Sequence, residues 1–325
     1  MPRQPTRDYV VSMSQPKHRR RRSETPTKVR TTSLAIALVT ASLLSVGLWW
    51  HWKAPSSSSS ITTTPLASST LPAHPRGSSP TALNQSLGSY LRLRSGAVEL
   101  AVEDLNSGLT TTYGRNSPQV EASVVKVNIL AALLASSSVA NTPLTAQEQN
   151  LAQGMIEESD NNSATSLWMI AGGGAGIGTF DRRIGLTATT PSPCVVCQGF
   201  AWPGWGLTTT TPLDELKLLR IVFLDSAYLN SQSHAYELQL MESVVPSERW
   251  GVSSGVASSA TVALKNGWLP LNATNSDWQI NSVGWIRGDG RNYLIAIFST
   301  GNPSEDYGIQ TLNSVSALIW DHLAS

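Results

Sequence analysis

Ser123 and Lys126 stand three residues apart in Ala122-Ser123-Val124-Val125-Lys126-Val127. On a helix, that spacing puts the hydroxyl and the amine on one face. A hydroxyl at a helix N-terminus meets unpaired N–H groups that favour developing negative charge. A lysine in apolar surroundings gives up its proton more easily, because desolvation disfavours the cation. The free amine can then accept the serine proton. The pair alone carries little weight, since Ser-x-x-Lys arises about once by chance in a chain of this size. Ser14-Gln15-Pro16-Lys17 matches it as well, inside a basic segment where it has no chemistry to do.

Two further groups follow in order. Ser159-Asp160-Asn161 lies within MIEESDNNSAT; alone it reads as a turn or helix cap. Lys265-Asn266-Gly267 closes the apolar run Thr261–Leu264; alone it is balanced against a hairpin turn. A lysine there supplies positive charge for an anionic substrate. The glycine allows a substrate backbone to approach the strand closely.

Ser-x-x-Lys, then Ser-Asp-Asn, then Lys-x-Gly resembles the signature of class A β-lactamases and penicillin-binding serine hydrolases. The flanks EASVVKV, MIEESDNNSA and LTTTTPLDELKLL resemble that family too. The order of elements from about Val98 to Leu323 also fits, especially the secreted or membrane-bound branch of high-GC Gram-positive bacteria. The resemblance implies an α+β fold of β-lactamase/transpeptidase type: a five-stranded antiparallel sheet flanked by helices, with an all-helical subdomain. It implies Ser123 as acylated nucleophile, Lys126 as its proton acceptor and Ser159 as proton relay to the leaving nitrogen. Asn161, Lys265, Asn266, Gly267 and Trp268 would bind substrate, with the backbone N–H groups of Ser123 and Trp268 as oxyanion hole. The substrate would be a β-lactam or a peptidoglycan-peptide-like molecule; no metal or organic cofactor is implied.

Two departures qualify this. Asn266 replaces the usual Thr or Ser; its amide can still donate to a substrate carboxylate, with altered shape and reach. The loop before Thr208–Pro212 reads PSPCVVCQGFAWPGWG and holds no acid; none lies between Asp181 and Asp214. Class A β-lactamases place a water-activating glutamate there. Acylation is therefore expected and deacylation is in doubt, with Asp214 and Glu215 weak substitutes. A D,D-peptidase or esterase, or a non-hydrolytic binding or sensing module, are the competing outcomes. Trp202 and Trp205 could line the site, though core packing is the plainer expectation.

The elements that must position these residues are legible in outline. Residues 97–103 and 109–113 read as a β-hairpin, and 124–134 as a buried helix, too long and continuously apolar for a strand. Helices are expected over 146–158, 164–170, 212–223, 233–244 and 310–323, and strands over 261–265, 278–287 and 293–299. Gly172–Gly178 reads as a glycine-rich loop, and Pro191–Gly206 as an irregular one.

Of the 23 basic residues, ten fall within residues 1–53, against two of the 22 acidic ones, so the rest of the chain is acidic at −7. That argues against nucleic acid as a partner of the folded part. The organisation expected is a basic cytoplasmic head (1–30), a transmembrane signal-anchor (31–52), a Ser/Thr/Pro-rich stalk (53–82) and the hydrolase domain (83–325). LAIALVTASLLSVGLWW carries no charge and follows Arg19–Arg22, Lys28 and Arg30, so the positive-inside rule sends the domain outward. A cleaved signal peptide is the alternative. Cys194 and Cys197 are the only cysteines, and outside the cytoplasm they are expected to form a local disulfide.

Two other constellations compete weakly. Gly251-Val252-Ser253-Ser254-Gly255, with Asp289 and His322, matches the order of an α/β-hydrolase triad, but no hydrophobic strand precedes the serine. Tyr228-Leu229-Asn230 offers an alternative to Ser-Asp-Asn in what reads as a helix exit.

Overall fold

The computed structural model describes residues 80–272 and 274–323. The basic head, the apolar span at 31–52 and nearly all of the stalk lie outside the described residues. Among the described residues, no helix is long and apolar enough to cross a membrane.

In chain order the elements are α1 (Pro80–Leu91), β1 (Ala97–Asp104), β2 (Leu109–Tyr113), β3 (Gln119–Val120), α2 (Val125–Ala140), α3 (Ala146–Glu157), α4 (Asn161–Ile170) and α5 (Gly173–Ile184). Then come β4 (Thr209–Thr210), α6 (Pro212–Phe223), α7 (Ser231–Glu242), β5 (Thr261–Pro270), β6 (Trp278–Gly288), β7 (Arg291–Asn302) and α8 (Glu305–His322). Five strands form one antiparallel sheet in the order β2-β1-β7-β6-β5, so β5 is an edge strand. A second, two-stranded sheet joins β3 to β4.

Alternation along β7 explains how both faces of the large sheet are buried. Leu294, Ala296 and Phe298 enter one core, and Tyr293, Ile295 and Ile297 the other, as a pleated strand requires. The first core is completed by the helical middle of the chain. The second is completed by Leu83 and Leu87 of α1 and Leu312, Val315 and Ile319 of α8. Every residue from Val124 to Ala135 is buried, as expected of a helix apolar on all sides.

Helix ends follow side-chain caps. Asp160 accepts from Ser163 N (2.6 Å) to start α4, and Thr211 accepts from Asp214 N (3.2 Å) ahead of Pro212 in α6. Asn230 accepts from Ser233 N (2.9 Å). That capping bond starts α7 and accounts for the Tyr228–Asn230 match.

Three expectations need correction. Gly172–Gly178 is mostly helix: α5 starts at Gly173, driven by Ile177, Phe180 and Ile184, which are buried at helical spacing. Tertiary packing overrides propensity here, because α5 passes so near the 192–193 backbone that a Cβ on Gly174 would collide with the Ser192 carbonyl. Helix α1 starts at Pro80, inside the region read as stalk. Leu83 and Leu87, four apart, are enough to bury α1, and proline at its first position fits a helix start. Finally, β5 runs on to Pro270, well past Lys265, and α8 starts at Glu305, five residues earlier than expected.

Candidate active site

Ser123 sits in a 3-10 turn, Ala122–Val124, that feeds directly into α2. Ala122 has φ +51°, a conformation costing a non-glycine residue about 1–3 kcal/mol. Asn281 on β6 clamps the chain just before it, donating Nδ2–H to the carbonyls of Val120 (2.8 Å) and Glu121 (2.9 Å). Strand β5 crosses against the same turn. A Cβ on Gly267 would lie 2.7 Å from both Glu121 O and Val124 N and 2.8 Å from Ser123 N. The glycine is therefore needed for strand-to-turn contact within the protein itself, a different reason from the substrate approach expected from sequence.

Lys126 occupies the first turn of α2 and is completely buried. Its Nζ donates to Ser159 O (2.6 Å), Ser159 Oγ (3.0 Å) and Asn161 Oδ1 (2.9 Å). Ser159 lies between α3 and α4 with φ +55°, which turns both of its oxygens toward the lysine. Lys265, also completely buried, donates from mid-β5 to the same Ser159 Oγ (2.9 Å) and to Asn266 O (3.0 Å). One hydroxyl thus bridges two amines. Burial, followed by repulsion from Lys265, holds the Lys126 ammonium well below the ordinary lysine range. Burial brings Lys265 down to about 8, partly opposed by Glu248, whose Oε2 lies 3.7 Å away.

Asn266 is not brought to the pocket by its side chain. It points to the opposite face of β5, donating Nδ2 to Glu248 O (2.7 Å) and Trp250 O (3.2 Å), while Oδ1 accepts from Ser282 (2.5 Å). Both amide hydrogens are committed, so the expected donation to a substrate carboxylate is withdrawn.

A pocket of ≈ 100 Å³ opens over Ser123, Ser159 and Asn161, walled by Trp202, Trp205, Trp268 and Glu248. A larger cleft of ≈ 410 Å³, bordered by Leu134, Asn230 and Tyr236, lies at the other end of α2 and has no lysine or carboxylate in its lining. Cys194 and Cys197 form the expected disulfide in the 191–206 loop. From that loop Trp205 serves both readings: it is buried, donates Nε1–H to Thr165 Oγ1 (3.0 Å), and presents its ring 5.0 Å from Lys126 Nζ. Trp202 lines the pocket and remains 45% exposed.

Asp214 and Glu215 do not line this pocket. Asp214 Oδ2 accepts from Ala188 N (2.7 Å) and Thr189 Oγ1 (3.1 Å), tying the loop to α6. Glu215 is buried with Glu121, the residue two before the nucleophile. Burial raises the Glu215 carboxyl to about 8, and Asp181 and Asp214 add to it. Burial raises Glu121 well above its ordinary range, with Glu215 as the largest neighbouring charge. Asp181 is pushed up to about 7, again by burial, against a hydrogen bond from Asn128 (2.9 Å). Glu121, Asn281 and Glu248 escaped the sequence reading. The available signals were an acid inside the apolar EASVVKV and the polar run Gln279-Ile280-Asn281-Ser282 in a strand buried on both faces.

The competing triad is not assembled. Gly251–Ser253 is a 3-10 turn, Asp289 pairs with Arg291 in the β6–β7 turn, and His322 bonds Ser86 Oγ (3.1 Å) at the end of α8.

The sequence model of the beta-lactamase enzyme family matches residues 135–323, more than half of the chain. The chain belongs to the beta-lactamase enzyme family. Among curated proteins, this family member is similar to a protein named lipoprotein LppW from Mycobacterium tuberculosis and Mycobacterium bovis, at 26% identity over 215 residues. The match covers 64% of each chain, so the chain spans less than two-thirds of the relatives' length. Among solved structures it resembles the TLA-1 extended-spectrum β-lactamase, with TM-score 0.66 and 17% identity over 76% of this chain and 99% of that one. A class A β-lactamase from Bacteroides cellulosilyticus gives TM-score 0.64 and 16% identity over 75% and 98% of the two chains. PBP-A gives 0.61 and 20% over 74% and 95%. At these identities the likeness establishes the β-lactamase fold.

Proposed function

We propose that this chain is an acyl-transfer enzyme that forms an ester at Ser123 with β-lactams or cell-wall peptides. The observation that carries the reading is Ser159 Oγ held at 3.0 and 2.9 Å between two buried amines, Lys126 and Lys265, in the wall of the pocket that contains Ser123. Lys126, with its ammonium disfavoured, takes the Ser123 proton as Oγ attacks the carbonyl carbon. The tetrahedral intermediate collapses with cleavage of the bond to nitrogen. Ser159 gives its proton to that nitrogen and is resupplied by the Lys126 ammonium. Asn161 offers its amide to the substrate, and edge strand β5 can pair with an extended substrate backbone.

A second reading, in which the ester persists and the protein senses or binds, is supported by the acid-free 191–206 loop. Among the described residues the pocket lining has one carboxylate, Glu248, and none comes from that loop. The setting fits an extracytoplasmic, membrane-associated protein: an apolar stretch at 31–52 behind a basic head, relatives named as lipoproteins, and a disulfide.

Incubating the full-length protein with excess fluorescent penicillin should label it, and Ser123→Ala should abolish the label. Mass spectrometry should find the adduct on Ser123 persisting for hours. Rapid turnover with no lingering adduct would remove the binding or sensing reading. Absence of both adduct and turnover with every acyl donor would remove acyl transfer itself.

A further inference from the structure

Buried Lys265 on β5, bonded to the Ser159 hydroxyl in the pocket lining, already has an anionic partner from its own chain. Lys265 Nζ has Ser159 Oγ, Asn266 O and the Glu248 carboxylate around it. Lys126 Nζ has its own three oxygens. Glu248 Oε2, 3.7 Å from Lys265 Nζ, thus already supplies the negative charge that an incoming carboxylate would bring to that amine. Glu248 lines the pocket, with 15% of its side chain exposed. It ends the 3-10 turn Pro246–Glu248, and Asn266 grips its carbonyl at 2.7 Å. The departure at 266 and the acid at 248 are therefore one device: the asparagine amide faces backward and fixes the turn that presents the acid. The remaining wall, Trp202 and Trp268, is aromatic and suits an uncharged or cationic group.

We infer that Glu248 determines specificity, slowing acyl donors that bring a carboxylate toward Lys265 relative to those with a carboxamide or an amine there. The inference rests on the acyl-transfer reading above. Two like charges about 5 Å apart in a partly solvated site lower occupancy about ten- to a hundredfold.

The test compares second-order acylation rates of the full-length protein with a penicillin, its primary carboxamide and its 2-aminoethyl amide. The two amides should react at least about tenfold faster than the carboxylate. Glu248→Gln should shrink that ratio about tenfold, mainly by accelerating the carboxylate. Asn266→Thr should weaken the discrimination by loosening the turn, and Glu248→Asp, which keeps the charge, should largely retain it. A wild-type preference for the carboxylate, or a ratio unchanged in Glu248→Gln, overturns the inference and leaves acyl transfer standing. If none of the three donors acylates Ser123 in any variant, acyl transfer falls and this inference with it.

Discussion

At the residue scale the chemistry depends on two amines held in different states. Lys126 is pressed toward the neutral form, and Lys265 loses its proton near 8. An acylation rate that needs Lys126 free and Lys265 charged should fall as pH rises past about 8, which stopped-flow measurement of adduct formation across pH would register. Lys126→Ala should slow acylation by about 10²–10⁴-fold. Lys126→Arg should not restore it, because a guanidinium stays protonated. A flat pH profile with full activity in Lys126→Arg would show that this amine is not the base. The sequence made Ser123, Lys126, Ser159, Asn161 and Lys265 visible because their spacing is local and their order is a pattern. It left Glu248 and Asn281 invisible. Each acts on a partner far along the chain, Glu248 on Lys265 and Asn281 on the Val120 and Glu121 carbonyls. Asn266 misled for a related reason: side-chain type was legible, but the face of the strand it occupies was not.

At the scale of elements, the site is a contact between a strand and a turn. β5 presses on the Ala122–Val124 turn at Gly267, where a Cβ would come within 2.7–2.8 Å of backbone atoms that have no room to move aside. Gly267→Ala should therefore destabilise the domain by about 1–3 kcal/mol. It should also cost far more in acylation than in stability, because the displaced atoms adjoin the nucleophile. Thermal melts paired with adduct formation distinguish this from simple unfolding; normal acylation in the variant would refute it. Most elements were legible from sequence, since an apolar run too long for a strand marks a buried helix such as α2 and alternation marks a strand such as β1. What escaped depends on packing. α5 is helical despite its glycines because it must lie against the Ser192 backbone, and α1 exists because Leu83 and Leu87 find a core built mostly from the C-terminal third of the chain.

For the whole molecule, the buried acids tie stability to pH. Glu121, Glu215 and Asp181 hold protons in the fold at pH values where the unfolded chain has released them. The contributions of Asp181 and Glu215 are complete below about pH 4 and are lost as pH rises through about 7 and about 8. The depressed lysines act in the opposite sense, so the comparison is with Glu215→Gln, which keeps a polar group and removes the titration. That variant should gain on the wild type between pH 5 and pH 8, by on the order of a few kcal/mol. Denaturant titrations at the two pH values measure it, and an equal gap at both would disprove it. Ala122 bears on the same total from another side. At φ +51° it holds a backbone shape that glycine would take without strain, so the chain is not the most stable sequence for its own fold. Selection for durability alone would drift toward relaxing that turn. The strained alanine thus places the cost of aiming one hydroxyl in the backbone beside it.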